Sequence, residues 1–227
     1  MKIPILTIRF ANTVAQNEIP LFRGAVAGKV PPELTLFHNH TSDGLRYRYP
    51  LIQYKRINGK AAIVCIGEGT EAIGNFFEGA DFVLRIGQRE QQFAIESMQA
   101  NQWLLQTWNT PFTYTIRKWL PLNAHNYAAY SALCGIAERA SFLEKVLTGN
   151  ILSMCTGLGV HLDKQVECKI TDIISEQTMP YKGIRLTAMD LRFQTNVYIP
   201  DYISIGKAAS HGFGMLHQEK ITKIQNQ

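Results

Sequence analysis

The order of strands and helices predicted for the first half of the chain constrains its fold more than any other feature. Short runs of alternating hydrophobic residues are separated by turn residues or by segments with helical spacing. The strongest local signal is Asn58-Gly59, a dipeptide typical of a two-residue hairpin turn. The predicted elements are a strand at 3–10, a helix at 18–28, two strands within 45–67, a helix at 68–77 and a strand at 81–86. This order is that of a ferredoxin-like domain.

The second half repeats the order of elements loosely, without a repeat of sequence. We expect a strand at 112–120, helices at 126–147 and 151–156, and strands around 166–170 and 184–193. The apolar face of the longer helix is predicted to comprise Tyr127, Tyr130, Leu133, Ile136, Ala137, Ala140, Leu143 and Leu147.

Residues 91–106 are harder to assign, and one interpretation is a further strand that ends in a helical turn through Trp103 and Leu104. The turn-rich run at 107–111 ends in Pro111 and is the candidate domain boundary. We therefore predict an α+β protein of two tandem ferredoxin-like, or RRM-like, domains at 1–108 and 109–227. The first would carry a histidine pair, and the second a glycine-rich loop.

The composition is that of an ordinary globular protein, with 46% hydrophobic and 18% charged residues. No apolar run approaches the roughly 20 residues needed to cross a bilayer, and Arg9 interrupts the apolar N-terminal run. The four cysteines are scattered without a Cys-x-x-Cys pair, which argues against a zinc ribbon and favours a reducing compartment. We expect a cytoplasmic protein with no membrane partner.

Positive charge is concentrated in one segment. From Arg23 to Lys60, seven basic residues less two acidic ones leave +5, which equals the net charge of the whole chain. Such an excess suits a polyanion, although a basic solvated surface without a partner gives the same pattern. The alternation predicts that Arg46, Arg48 and Arg56 share one strand face with Tyr54, an arrangement that binds phosphates and stacks a base.

The pair His38 and His40 is the most chemically suggestive feature of this segment. Histidine titrates near neutral pH, so one imidazole can accept a proton while the other donates one. RNA supplies its own nucleophile, the 2′-hydroxyl, so such a pair can cleave it without a metal. Two alternatives stay open: structural hydrogen bonding by loop histidines, and half of a metal site, although no local carboxylate or cysteine set completes the ligands.

A second candidate site is the glycine-rich loop Ser204–Gly214. Gly206, Gly212 and Gly214 permit positive φ angles and a close approach to a ligand. Lys207, Ser210 and His211 add a positive charge, a hydroxyl and an imidazole. Several backbone N–H groups could bind a phosphate there. The simpler alternative is a tight surface turn that needs glycine for its geometry.

Three stretches together resemble a known family. They are Leu21–Val26, His38–His40 leading into Tyr47–Lys55, and Ile205–Gly214. The chain resembles the CRISPR-associated endoribonucleases that cut precursor CRISPR RNA within its repeats, the sixth CRISPR-associated family of the RAMP superfamily, and most of all its "b" branch. The resemblance implies two ferredoxin-like domains and cleavage without metal or cofactor. The products would carry a 2′,3′-cyclic phosphate or related end and a 5′-hydroxyl.

The resemblance also implies residue roles. His38 and His40 would be general acid and base in unassigned order, assisted by a group such as Tyr47 or Lys29. The implied RNA-binding residues are Arg23, Arg46, Arg48, Lys55, Gly206, Lys207, His211, Gly212 and Gly214. One departure is Ser204, where the family's loop often has an additional glycine.

The implied partner is CRISPR repeat RNA, and other CRISPR interference subunits and a second copy of the chain are candidate partners. Two alternative functions stay open: a non-cleaving RNA-binding relative of the same fold, and an assembly subunit of a ribonucleoprotein.

Overall fold

The protein is described from a computed structural model that covers residues 1–38, 40–41, 44–45, 49–78, 81–181 and 183–219, with the backbone alone at 38, 40–41 and 44–45. The first half contains β1 (Lys2–Thr13), α1 (Ile19–Ala27), α2 (Thr35–His38), β2 (His40–Thr41), β3 (Gly44–Leu45), β4 (Ile52–Ile57), β5 (Lys60–Ile66), α3 (Gly69–Ala72), α4 (Gly74–Phe77), β6 (Val83–Ile86), β7 (Arg89–Gln92) and β8 (Ile95–Leu104).

Four of these strands form an antiparallel sheet in the order β4-β5-β1-β8, which confirms the ferredoxin-like prediction. The hairpin between β4 and β5 turns at Asn58 and Gly59, with φ angles of 51° and 85°. Positive φ at both central residues is what this tight turn requires. The helix α1 begins with Pro20 in its first turn, where the missing N–H has no intrahelical partner to lose.

The fourth strand of this sheet differs from the prediction. The run at 81–86 contributes β6, which pairs with β7 in a separate hairpin. The sheet is completed by β8, which pairs with β1 through Leu104, so Trp103 and Leu104 lie in a strand and not in a helical turn. Because β8 is an edge strand exposed on both faces along most of its length, its residues do not alternate between apolar and polar.

The second half contains β9 (Thr107–Trp119), α5 (Tyr127–Ser131), α6 (Ile136–Gly157), β10 (Cys168–Tyr181), β11 (Ile184–Val197) and β12 (Met215–Gln218). Its sheet has the order β10-β11-β9-β12, which repeats the strand order of the first half. Residues 198–214 stand where the second helix of a ferredoxin-like domain is expected, and they form a loop with one 3₁₀ turn at Ala209–His211. The glycine-rich loop therefore replaces a helix.

The helical region of this half is broken at a different place from the predicted one. A break before Gly135 separates α5 from α6, and the predicted short helix at 151–156 is the end of α6. Tyr127 and Ile136 are 54% and 81% exposed, so the predicted apolar face is wrong at these positions. The buried side chains of α6 are Leu143, Leu147, Ile151, Met154 and Cys155.

Apart from the edge strand β8, the first sheet is covered on both faces. One face packs on α1 and α4 in a core that includes Phe22, Tyr54 and Phe76. The other face joins the second half in a shared core that includes Trp103 and Leu147. The predicted exposure of Tyr54 is therefore wrong, because its ring is 0% exposed in the first core. No helix in the described part of the chain is both long and apolar enough to span a membrane.

Substitutions at two glycines of α6 test the packing contact between the two halves of the chain. A Cβ at Gly157 would overlap Tyr49, whereas a Cβ at Gly149 would meet nothing within 4 Å. We expect Gly157→Ala to lower the free energy of unfolding by about 1–3 kcal/mol through overpacking. Gly149→Ala should raise it by about 0.5–1 kcal/mol through helix propensity. Urea unfolding of both variants would measure this, and equal stabilisation by both would contradict the packing of Tyr49 on α6.

Candidate nucleic-acid interface

The glycine-rich loop adopts the backbone that its sequence predicts. Gly206, Gly212 and Gly214 have φ angles of 80°, 79° and 64°, and Ala208 also has a positive φ of 59°. At two of these positions, neighbouring atoms also leave no room for a side chain. A Cβ at Gly206 would overlap Asn150, and one at Gly214 would overlap the carbonyl oxygen of Ile205. The loop is therefore a defined turn system that only glycine can occupy at these points.

Most of the loop faces the protein and not the solvent. Ser204, Ser210 and His211 are buried, at 0%, 7% and 6% exposed. Gly212 packs near the backbone carbonyl of Tyr54 in β4. Lys207 is the exposed basic side chain at the loop's tip. Among the predicted RNA contacts in the loop, Lys207 is thus directly accessible, while His211, Gly212 and Gly214 lie in the contact with the first half.

Polar side chains of the first half fix the start of the loop. Gln53 accepts a hydrogen bond from the Ser204 N–H at 2.9 Å, and Tyr49 donates its hydroxyl to the Ser204 carbonyl at 2.9 Å. Lys55 donates from Nζ to the Ser204 hydroxyl and, at 3.2 Å, to the Ala209 carbonyl. The lysine therefore ties together two points of the loop.

The environment of Lys55 is unusual for a lysine, because its side chain is 0% exposed and no carboxylate among the described residues pairs with it. Burial lowers the pKa of its amine well below the ordinary value. The two acceptors match the two N–H groups of a neutral amine. Lys55 thus holds the loop through its buried side. Direct contact of Lys55 with RNA stays a prediction.

A second link joins α1 to the other end of the loop. Arg23 Nη1 lies 3.1 Å from His211 Nε2, and Arg23 Nη2 donates to the Phe37 carbonyl at 3.1 Å. Since a guanidinium can only donate, His211 Nε2 accepts, and in the neutral ring Nδ1 carries the proton. Nδ1 lies 2.9 Å from the Tyr181 hydroxyl. Burial raises the pKa of Tyr181, and the nearby charge of Arg23 opposes that shift.

Several cations that form no ion pair in the described part of the chain lie in the loop or near it. Elsewhere, ion pairs neutralise many basic side chains: Lys29, Lys60, Arg85, Arg89, Arg117, Lys169 and Arg192. Within the described residues, no such pair forms at Arg23, Arg56, Lys118 or Lys207, which we call the basic rim. The Lys118 carbonyl accepts from the Gly214 N–H at 3.3 Å. Burial lowers the pKa of Lys118, Asp190 opposes the shift, and the charge of Arg56 lowers the pKa further.

In the sequence, the histidine pair lies between Arg23 and Arg56 of this rim. His38 ends α2 and His40 begins β2, but both side chains lie outside the described part, as do Arg46, Arg48 and Tyr47. Their predicted roles stay predictions. Lys29 forms an exposed ion pair with Asp81 at 2.7 Å. In the described residues, no group of three or more His, Cys, Asp or Glu side chains is arranged to bind a metal.

Sequence reasoning missed four parts of the site: Tyr49, Gln53, Lys118 and Tyr181. Each acts on the loop through a contact between residues distant in the chain, such as Gln53 and Ser204, which are 151 positions apart. Tyr49 and Gln53 lie in the stretch Tyr47–Lys55 that carries part of the resemblance, and this is the signal that could have found them. The local patterns of Lys118 and Tyr181 are those of ordinary strand residues.

The pKa shift of Lys55 has a consequence for stability. Between its lowered folded pKa and the ordinary value of about 10.4, the unfolded chain binds a proton at Lys55 that the folded chain does not. Stability attributable to Lys55 therefore rises with pH across this window, by at most about 1.4 kcal/mol per pH unit. We expect the unfolding free energy of the parent, relative to Lys55→Met, to rise with pH.

Urea unfolding between about pH 6 and 9 would measure that difference. The upper limit avoids the range near pH 10 in which unfolded tyrosines ionise. The matched control is Lys145→Met on the exposed surface of α6, for which the difference should stay flat. A flat difference for Lys55→Met would show that the folded amine keeps its ordinary pKa.

Comparison with known proteins places this architecture in a family. The sequence model of the Cas6b N-terminal domain matches residues 1–103, and that of the Cas6b C-terminal domain matches residues 106–219. An uncharacterized protein of Methanocaldococcus jannaschii is 33% identical over 99 residues, which are 44% of this chain and 66% of that protein. The match thus spans slightly less than two thirds of that relative's length.

Solved structures agree over nearly the whole chain. A crystal structure of Cas6b is 27% identical, with a TM-score of 0.85, and covers 96% of this chain and 100% of the other. A crystal structure of the CRISPR RNA processing endoribonuclease Cas6b is 25% identical, with a TM-score of 0.73 and the same coverage. A RAMP protein that binds different RNA substrates shares the fold alone, at 12% identity and a TM-score of 0.57. Since the two domain models together match residues 1–103 and 106–219, the chain belongs to the Cas6b family.

Proposed function

We propose that the protein is an endoribonuclease that processes CRISPR RNA by cutting within the repeat. Family membership supports the substrate class, and a Cas6b structure 25% identical to this chain is described as a CRISPR RNA processing endoribonuclease. The observation that carries the proposal is the contact of Arg23 with both His211 and the Phe37 carbonyl. This contact joins the backbone next to His38 to the glycine-rich loop, which carries the exposed Lys207.

The proposed chemistry uses the RNA's own 2′-hydroxyl. One of His38 and His40 takes the 2′-hydroxyl proton as the P–O2′ bond forms, and the other donates a proton to O5′ as the P–O5′ bond breaks. The products are a 2′,3′-cyclic phosphate and a 5′-hydroxyl. No metal or cofactor takes part in this scheme. The rim cations other than Arg23, which are Arg56, Lys118 and Lys207, would stabilise the negative charge that grows on the phosphoryl oxygens.

The proposed RNA path runs along the part of the basic rim that Arg56, Lys118 and Lys207 form. Lys207 is exposed at the loop's tip, and Arg46 and Arg48 belong to the same basic segment as the histidines. We propose that these residues contact the phosphate backbone, which would fix the register of the repeat without reading its sequence. The domains at 1–108 and 109–227, a cytoplasmic location, and association with a second copy or with other CRISPR interference subunits belong to the same proposal.

Cleavage of repeat RNA tests the catalytic assignment. We expect the parent to cut end-labelled repeat RNA in excess EDTA, and to leave intact a substrate with a single 2′-deoxy nucleotide at the cut. His38→Ala and His40→Ala should each slow cleavage by about 10²–10⁴-fold, the usual contribution of a general acid or base. The matched control is His125→Ala, at an exposed histidine remote in sequence from both candidate sites; it should cut like the parent.

The other outcomes separate the alternatives. Tight binding with no cleavage by the parent would favour the non-cleaving RNA-binding relative. Weak binding of free RNA together with no cleavage would favour an assembly subunit. If both histidine variants cut like the parent, the assignment of His38 and His40 is wrong even though the protein is a nuclease.

The salt dependence of binding tests the role of Lys207. If Lys207 neutralises one phosphate, Lys207→Ala should reduce the slope of log K against log salt by about 0.7–0.9. Its affinity loss should be the same for different repeat sequences. Lys145→Ala on the exposed side of α6 is the control, with no expected change of slope. An unchanged slope for Lys207→Ala would remove Lys207 from the RNA path.

A further inference from the structure

Arg23 occupies a position where two candidate sites meet. Its helix α1 is held rigidly, because the adjacent Phe22 is 0% exposed and stacks on Phe93 with ring centroids 5.5 Å apart. Phe22 also contacts the Tyr54 ring edge to face at 5.7 Å. The guanidinium of Arg23 therefore projects from a fixed point of the first core.

The two ends of the guanidinium bind two different segments. Nη1 lies 3.1 Å from His211 in the glycine-rich loop, and Nη2 donates to the carbonyl of Phe37 at 3.1 Å. Phe37 is 1% exposed and directly precedes His38 in α2. A shift of His211 that moves the guanidinium would therefore alter the hydrogen bond on the residue before His38.

We infer that Arg23 is a positioning residue that couples the geometry of the glycine-rich loop to the placement of the His38–His40 segment. This inference rests on the proposed function, since it assigns that segment the catalytic histidines. Because the docked loop has a defined geometry, Arg23 transmits that geometry to the backbone before His38. Arg23 then affects the rate of the chemical step, whereas a residue that only contacts RNA affects affinity.

The planar fork of arginine suits this role. Its N–H groups point in fixed and different directions, so one side chain can bind the His211 ring and the Phe37 carbonyl together. A lysine ammonium keeps the charge, but it is a single point that cannot reproduce both hydrogen bonds in their present positions. Arg23→Lys therefore keeps the positive charge but removes the proposed coupling between the two segments.

The main experiment measures binding and chemistry separately. Single-turnover cleavage at saturating protein gives the rate of the chemical step, and binding of the 2′-deoxy substrate gives Kd. We expect Arg23→Lys to lower the saturated rate by about tenfold or more, because a small misplacement of catalytic groups has effects of this size. Kd should change by less than about threefold. The control is Arg139→Lys, since Arg139 also donates to a carbonyl, that of Leu133, but lies on α6 away from the loop.

Variants at His211 test whether the two residues act together. His211→Leu removes the acceptor for Arg23, whereas His211→Gln keeps an oxygen near the position of Nε2 and should lose less of the rate. The double variant Arg23→Lys with His211→Leu should be no slower than the slower single variant, as expected for two residues of one unit. Multiplied rate losses in the double variant would contradict coupling through this contact.

A readout independent of cleavage completes the test. NMR titration of the histidines should show that Arg23→Lys shifts the midpoint of His38, while those of the exposed His125 and His161 stay the same. A raised Kd with an unchanged saturated rate would make Arg23 an RNA contact and overturn the inference. If Arg23→Lys changes neither the saturated rate nor the His38 midpoint, while the His38 and His40 variants are inactive, the inference is overturned and the proposed function stands. Absence of cleavage by the parent would contradict both.

Discussion

The docking of the glycine-rich loop on β4 is the constraint on which the rest of the site depends. The loop leaves β11 at the far end of the second half, yet its position is set by three polar side chains of the first half, Tyr49, Gln53 and Lys55. These contacts are buried between two sheets. If the loop moved, these buried polar groups would lose their hydrogen bonds and could not replace them with bonds to water. The loop therefore has one favoured position on β4.

Ser204, which stands where the resemblance leads us to expect a glycine, is central to this docking. Its N–H, its carbonyl and its hydroxyl are all bonded to side chains of the first half. A glycine at this position would keep the two backbone bonds but remove an acceptor from Lys55. One N–H of the buried neutral amine would then lack its acceptor, and a buried donor without a partner costs free energy. Ser204 and Lys55 therefore form a matched pair in this chain.

The sequence predicts the features of this fold that depend on local conformation, but not those that depend on contacts between distant residues. The hairpin at Asn58-Gly59 and the positive φ of Gly206, Gly212 and Gly214 were predictable, because each depends on the conformational freedom of one or two residues. The burial of Tyr54 was not, because strand alternation presumes one solvated face. Phe22 of α1 packs on Tyr54 on one face of β4, and the second half covers the opposite face, so this strand has no solvated face. Both coverings depend on contacts between residues distant in the chain.

The same reasoning applies to the edge strand and to the basic segment. β8 was hard to assign because an edge strand exposed on both faces has no alternation to detect. The concentration of charge between Arg23 and Lys60 was visible in the sequence, but the charges have different uses in the fold. Lys29 and Lys60 are ion-paired, Lys55 is buried beneath the loop, and Arg23 bridges two segments. Charge counting indicates a polyanion partner, while only the tertiary contacts separate the residues that face it from those that position the site. Lys55 and Arg23 bind different points of one loop, and Arg23 also binds the carbonyl of Phe37, so these contacts fix both the loop and the backbone before His38.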